Sequence, residues 1–248
     1  MAEVDLEALA AGYEHRKTTP AALARAAAAA DAAHLGSGSV AIDVGGGRGL
    51  HAGVFAGRGA LAVVVDRSEG MSSAAASVPG VEVVVGDAAD LPLADGCADL
   101  AYFHLSIHYG DWRRSLDEAI RVVRPGGALW VWTFGSDHLR SSFLADWFPS
   151  IVPIDEARFP EPGALAAHLA AAGCSAVAVS EAPEVVERTA GEWRAAVEAG
   201  FVSTLQMLPP GEVEAGLRRF GEAYPRPGEM LSYRLGYLSV SATGPSLR

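Results

Sequence analysis

From Val40 onward, short β-branched apolar runs alternate with helix-like segments, and this alternation constrains the fold more than any other feature of the chain. The runs are "SVAIDV", "ALAVVVD", "VEVVVGD", "ADLAYFH" and "ALWVWTF". Each is short and nearly continuously apolar, as expected of strands buried on both faces of a parallel sheet. Between them lie "GLHAGVFAG", "SEGMSSAAAS" and "DWRRSLDEAIRVVRPGG". The last places Trp112, Leu116, Ile120 and Val123 on one helical face, and Pro125-Gly126-Gly127 is expected to stop it. Alternating β and α units with right-handed crossovers predict an open, doubly wound α/β sheet.

The flanks elaborate this core. Residues 1–39 read as an N-terminal helical segment, because Pro20 stands at a first helical turn before "AALARAAAAADAAHL" and Gly36 to Ser39 break the pattern. The core is expected over 40–182, ending with a helix and a strand in "EPGALAAHLAAAGCSAVAVSEAP". A final strand, "MLSYRLGYLSVSA", lies in 230–248 and is assigned to the core as well. Between those two strands, about 45 residues (183–229) carry a mostly helical pattern, far more than the few residues a hairpin needs. A segment of that size is too small to bury its own core, so it reads as a cap.

Charge and cysteine usage exclude some functions. A formal net charge of −11 repels phosphate backbones and anionic lipid surfaces, so neither nucleic acid nor membrane is expected as a partner. No apolar run approaches the roughly 20 residues that span a bilayer, and the acidic N-terminus does not read as a signal peptide. Cys97 and Cys174 are far apart, with no CxxC spacing, which suits reduced thiols and a cytoplasmic location.

Chemistry is expected beyond the carboxyl ends of the strands, where the first strand-to-helix turn is tightest. "Asp43-Val44-Gly45-Gly46-Gly47-Arg48-Gly49" lies there, and its glycines permit positive φ and close approach to the backbone. Gly47 to Ala52 also satisfies the dinucleotide pattern G-x-G-x-x-G/A, so the loop alone leaves the nucleotide open. Asp66 ends the second strand, about 20 residues on, where a carboxylate can accept both ribose hydroxyls. Asp87, at the end of the third strand, can accept from an adenine amino group, and "AADLPLADGCADL" leads from it into the fourth strand, a continuation unusual in dinucleotide enzymes.

On these residues the chain resembles the class I S-adenosylmethionine-dependent methyltransferases, in particular the small-molecule branch related to ubiquinone and menaquinone methyltransferases. The resemblance covers roughly Val40 to Phe134 and rests on "DVGGGRG", "VVDRSEGM", "GDAADLPLADGCADLAYF" and "EAIRVVRPGG", in that order. It implies a Rossmann-like, doubly wound, seven-stranded sheet with an antiparallel last strand and helical cap insertions. It further implies S-adenosylmethionine as cofactor, S-adenosylhomocysteine as product, and Asp43, Gly45, Gly47 and Gly49 beside the methionine portion. Asp66 would take the ribose, Met71 would pack on adenine, and Asp87 with the Ala88 amide would read the adenine edge; Arg67, beside Asp66, joins the cofactor set. Tyr13, with Arg16, would close over the cofactor from the N-terminus.

The segment "AYFHLSIHYGDW" should sit beside the reactive methyl group. In the family a histidine pair often follows this strand; His108 matches its first member, and Tyr109 replaces the second. His108 is thus a candidate base or a local packing group, and His104 a candidate base or a backbone neighbour of the sulfonium. Direct displacement needs alignment and exclusion of water, and a base only when the acceptor must lose a proton. No [D/N]-P-P-[Y/F] sequence or Pro-Cys pair is present, which argues against amino-methylating nucleic-acid enzymes and cytosine C5 chemistry. His104 stands where a catechol-type enzyme would need a magnesium ligand, so no metal is expected.

The acceptor is expected to be a small organic molecule, roofed by Phe143, Trp147, Phe148 and Phe159 and by Trp193, Phe201 and Met207 of the insertion. These aromatics also serve as ordinary core. Arg158 and Arg194 are either anchors for an acidic acceptor or solvated surface groups. A homodimer is compatible with the sequence. Two other readings stand beside methyl transfer: an NAD(P)-dependent oxidoreductase using the same glycine loop, and a non-catalytic S-adenosylmethionine-binding protein.

Overall fold

A computed structural model of the chain describes residues 4–13 and 19–246. After helices α1 (Leu6–Gly12) and α2 (Pro20–Ala32), the core begins with β1 (Val40–Val44), α3 (Leu50–Ala56), β2 (Leu61–Asp66), α4 (Glu69–Ala75), β3 (Val81–Val85) and β4 (Ala98–His104). It continues with α5 (Trp112–Val122), β5 (Val123–Phe134), α6 (Ser136–Ser141), α7 (Ile151–Arg158), α8 (Pro162–Ala171) and β6 (Ser175–Thr189). Helices α9 (Ala190–Glu198) and α10 (Glu212–Ala223) precede the last strand, β7 (Met230–Thr243).

The strands form one seven-stranded sheet in the order β3-β2-β1-β4-β5-β7-β6, with β1 to β5 parallel and the last strand antiparallel. The order reverses between β1 and β4, which brings the turns after these two strands side by side at the switch point. Four of five residues in β1 and four of six in β2 are buried, which accounts for their nearly continuous apolar character. Ile42, Val63, Phe103, Leu116, Leu129, Leu165 and Val240 belong to one apolar core. The alanine-rich helix α2 buries Ala22, Ala26, Ala29 and Ala30 on one stripe, which also carries Arg25.

Two boundaries differ from expectation. Helix α5 ends at Val122 rather than at Pro125-Gly126-Gly127, and β5 starts at once. A proline at 125 restricts Arg124 to extended backbone and has no N–H for the Arg121 carbonyl; that carbonyl accepts instead from the Gly96 N–H at 2.9 Å. Val123 then pairs with Ala98, the register shifts, and Ala128 pairs with Leu100, so the Pro-Gly-Gly residues form an irregularity inside the strand. Strand β6 likewise runs through Pro183 to Thr189, where a cap was expected to begin. Proline is tolerated there because β6 is an edge strand.

The described residues divide into two compact units. One, the sheet unit, comprises Thr18–Thr133, Pro160–Glu181 and Leu238–Arg248. The other, the aromatic unit, comprises Met1–Lys17, Phe134–Phe159 and Ala182–Tyr237, so it includes 134–159 as well as the segment read as a cap. It has its own core of Phe148, Trp193, Phe201, Leu217, Phe220 and Leu231, in which Trp193 stacks on Phe220 at 4.1 Å between centroids. A capping box between Thr189 and Glu192 starts α9 at the point where β6 ends.

Candidate active site

The carboxyl end of β1 runs into the glycine loop, and the loop is tied mainly to its own protein. The Gly45 N–H donates to the Val65 carbonyl at 2.7 Å, and the Gly49 N–H to the Gly46 carbonyl at 3.0 Å. Gly45 has φ +65°, and a Cβ there would stand 2.5 Å from the Cβ of Ser106, whose hydroxyl donates to the Val44 carbonyl at 2.6 Å. The turn after β4 thus lies directly on the turn after β1. A Cβ at Gly46 would meet the Asp43 carboxyl carbon at 2.6 Å, so only glycine lets the loop fold back over that buried acid.

Asp43 is 1% exposed. Its Oδ2 accepts from the Ala52 N–H at 3.3 Å, and its Oδ1 has no hydrogen-bond partner among the described residues. Burial pushes its pKa up to about 7, and the charge of Asp66 adds to the effect. Asp66 itself is fixed at both oxygens: Oδ2 accepts from the Gly47 N–H and Oδ1 from the Ser68 N–H, each at 2.9 Å. Ser68 caps α4 by accepting from the Met71 N–H at 3.1 Å, which holds the Met71 side chain in a buried position.

Beyond β3, Asp87 Oδ1 accepts from the Ala89 N–H at 2.8 Å, and Oδ2 lies 3.5 Å from Arg67 Nη1. Arg67 also donates through Nη2 to the Tyr109 carbonyl at 3.1 Å. The ends of β2 and β3 and the turn after β4 are therefore linked by one guanidinium. The Arg67–Asp87 pair is exposed, so it orders the rim and contributes little to stability. Ala88 is half-buried and packs against the sheet core.

The two histidines named from the sequence occupy different surroundings. His104 is the last residue of β4, and its Nε2 accepts from Arg25 Nε at 3.3 Å, which assigns the ring proton of the neutral form to Nδ1. The His51 ring lies 4.3 Å from it, and Arg25, 6% exposed, also stands over Trp132 at 5.7 Å. While that bond is in place, Nε2 of His104 is not open to a substrate proton. His108 lies in a short 3-10 turn, Ile107–Tyr109, with its ring 4.3 Å from that of Tyr109.

Residues 42–131, which include the loop, Asp66, Asp87 and both histidines, match a family model described as a methyltransferase domain. The chain carries a methyltransferase domain.

Relatives of this methyltransferase domain bear names of the same kind. A 25S rRNA (adenine(645)-N(1))-methyltransferase of Schizosaccharomyces pombe is 43% identical over 53 residues, 21% of this chain and 17% of that protein. A demethylmenaquinone methyltransferase of Corynebacterium kroppenstedtii is 36% identical over 100 residues, 40% of this chain and 43% of that protein. In both, the match spans less than half of the relative's length. The fold is that of a putative methyltransferase from an antibiotic biosynthesis pathway of Anabaena variabilis, with TM-score 0.65 and 23% identity, covering 89% of this chain and 96% of that one.

Three groups at the candidate site escaped the sequence reading: Arg25, His51 and Ser106. Arg25 had a signal, since it shares the spacing of Ala22, Ala26 and Ala29 and so had to be a cation on a buried stripe. Tyr13 caps α1 in the aromatic unit and is half-buried, whereas Arg16 lies outside the described residues. Arg158 and Arg194, also in the aromatic unit, part company. Arg158 is buried and donates to Thr204 Oγ1 at 3.0 Å and Ser203 Oγ at 3.1 Å, with Asp155 at 3.4 Å, so it is neither solvated nor open to a ligand. Arg194 lies on an exposed helix face and pairs with Glu198.

Proposed function

We propose that the chain transfers a methyl group from S-adenosylmethionine to a small organic acceptor by direct displacement, without a metal. The observation that carries this reading is the chemistry of the glycine loop. A pyrophosphate needs free amides and positive potential, and the amides of Gly45, Gly47, Gly49 and Ala52 already donate to protein oxygens, which leaves fewer of the loop's amides for one. The loop is flanked by two carboxylates, Asp43 and Asp66, and the buried Oδ1 of Asp43 lacks a donor among the described residues. Such a site disfavours a dinucleotide and fits a cofactor that brings an ammonium and a sulfonium and no phosphate.

Asp43 and the loop would hold the methionine portion, Asp66 the ribose diol, Met71 the adenine face, and Asp87 with Ala88 the adenine edge. When bound, S-adenosylmethionine supplies an electrophilic methyl group. Arg67 keeps the rim ordered through Asp87 and the Tyr109 carbonyl. His108 takes a proton where the acceptor is a phenol or carbon acid, while His104, held by Arg25, shapes the floor of the site. Alignment and exclusion of water supply the rest of the rate.

A small acceptor is favoured over nucleic acid by the net charge of −11. It agrees with the name of the demethylmenaquinone relative, whose match is about twice as long as that of the rRNA enzyme. The free thiols of Cys97 and Cys174 suit a cytoplasmic location. The test is incubation with S-adenosylmethionine and a panel of phenols, quinones, amines and carboxylic acids, with S-adenosylhomocysteine as readout. Acceptor-dependent product with loss of turnover in His108→Ala supports the reading. Binding without product across the panel would make the chain a non-catalytic binder.

A further inference from the structure

Strand β6 enters the aromatic unit as "EVVER", with Glu184, Val186 and Arg188 turned inward at 8%, 5% and 4% exposure and Val185 outward at 65%. Arg188 is therefore a buried cation. Among the described residues, neither its Nε nor its Nη1 has a hydrogen-bond partner. The contrast is with Arg158 in the same unit, whose buried guanidinium is met by Asp155, Ser203 and Thr204. A guanidinium out of water is strongly unfavourable until an anion joins it.

The surroundings describe that anion. The Arg188 guanidinium carbon stands 5.6 Å from the centroid of the Phe201 ring. Its charge reaches the phenol of Tyr233, which burial keeps protonated and therefore able to donate. Tyr233 stacks on Phe143 at 5.1 Å with the rings 6° from parallel. Flat aromatic faces thus accompany a planar fork of donors, the geometry that matches a carboxylate on a flat body. Glu184, inward on the same strand face and also acting on Tyr233, opposes a second negative charge and hence a dianionic phosphate.

We propose that Arg188 anchors a carboxylate-binding site in the aromatic unit and that the ligand is a small planar, typically aromatic, carboxylic acid. The binding does not require methyl transfer.

Calorimetry on the full chain with benzoate, and with benzamide as its neutral isostere, tests the site. The wild-type chain is expected to prefer benzoate by at least about tenfold, the value of a charge-assisted pair. Arg188→Met is expected to abolish that preference while unfolding at the same or higher urea concentration, because it removes a buried charge. Arg188→Lys, which keeps the charge and loses the fork, is expected to reduce the preference severalfold and decides the matter if Arg188→Met does not fold. No preference in the wild type, or an undiminished preference in the variant that folds, overturns the proposal. S-adenosylhomocysteine binding, measured on the same samples, is expected to be unchanged; its absence from the wild type would refute the methyl-transfer reading and leave the Arg188 site standing.

Discussion

Asp43 couples the stability of the apo protein to pH in a direction opposite to that of ordinary carboxylates. Its pKa is raised from 3.8 to about 7 by burial, so the folded form holds the proton more tightly than the unfolded chain. The resulting stabilisation is complete below the unfolded value and disappears as pH rises through about 7. The full shift corresponds to about 4 kcal/mol, of which roughly 2.5 kcal/mol falls between about pH 5 and about pH 8. Asp43→Asn keeps an oxygen for the Ala52 N–H and removes the titration. Urea unfolding of both proteins at the two pH values isolates the effect as a difference of differences, in which other titrating groups cancel. The wild-type chain should lose roughly 2.5 kcal/mol relative to Asp43→Asn on going from the lower to the higher pH. Parallel profiles would refute the account of a desolvated, under-bonded acid. The same acid links pH to ligand binding: a cationic ligand beside Oδ1 favours the carboxylate, so S-adenosylhomocysteine binding near neutral pH should release protons, detected as a buffer-dependent binding enthalpy.

Asp66→Ala should weaken S-adenosylhomocysteine binding by about 1.5–3 kcal/mol, a charged acceptor's contribution, and an unchanged calorimetric affinity would remove the ribose assignment. Gly45→Ala forces a Cβ to within 2.5 Å of Ser106 at φ +65°, so a stability loss on the order of 2 kcal/mol or more is expected in urea unfolding; a neutral result would show that the turn after β4 yields. Arg158→Met leaves the partly buried Asp155 with Thr204 alone and should cost about 1–3 kcal/mol, whereas a change within error would mean that Arg158 is solvated after all.

The sheet was legible because its central strands are buried on both faces, so their apolar runs needed no partner information to be recognised, whereas β3, read the same way, is an edge strand with only Val81 buried. The end of α5 was misplaced because Pro-Gly-Gly was read as the stop itself. Proline acts on the residue before it, and Val123 was already committed to pairing with Ala98. The extension of β6 was hidden for a different reason. Its inward face beyond Pro183 carries Glu184 and Arg188 beside Val186, and a charged inward face does not produce apolar alternation. At the site, acids at strand ends were readable because topology alone places them there. His51 was not, and Arg25 was readable only as a cation on a buried stripe, because both reach His104 from helices whose packing the local pattern does not specify. The glycines also turned out to have internal causes: Gly45 makes room for Ser106 and Gly46 for Asp43, where close ligand approach had been their expected purpose.

The central claim is that two carboxylates around the glycine loop select an adenosine cofactor that brings an ammonium over a pyrophosphate one. Titration calorimetry of the full chain with S-adenosylhomocysteine and, separately, NAD tests it most directly. The account predicts saturable one-site binding of S-adenosylhomocysteine and no measurable heat with NAD; binding of NAD in preference to S-adenosylhomocysteine would contradict it.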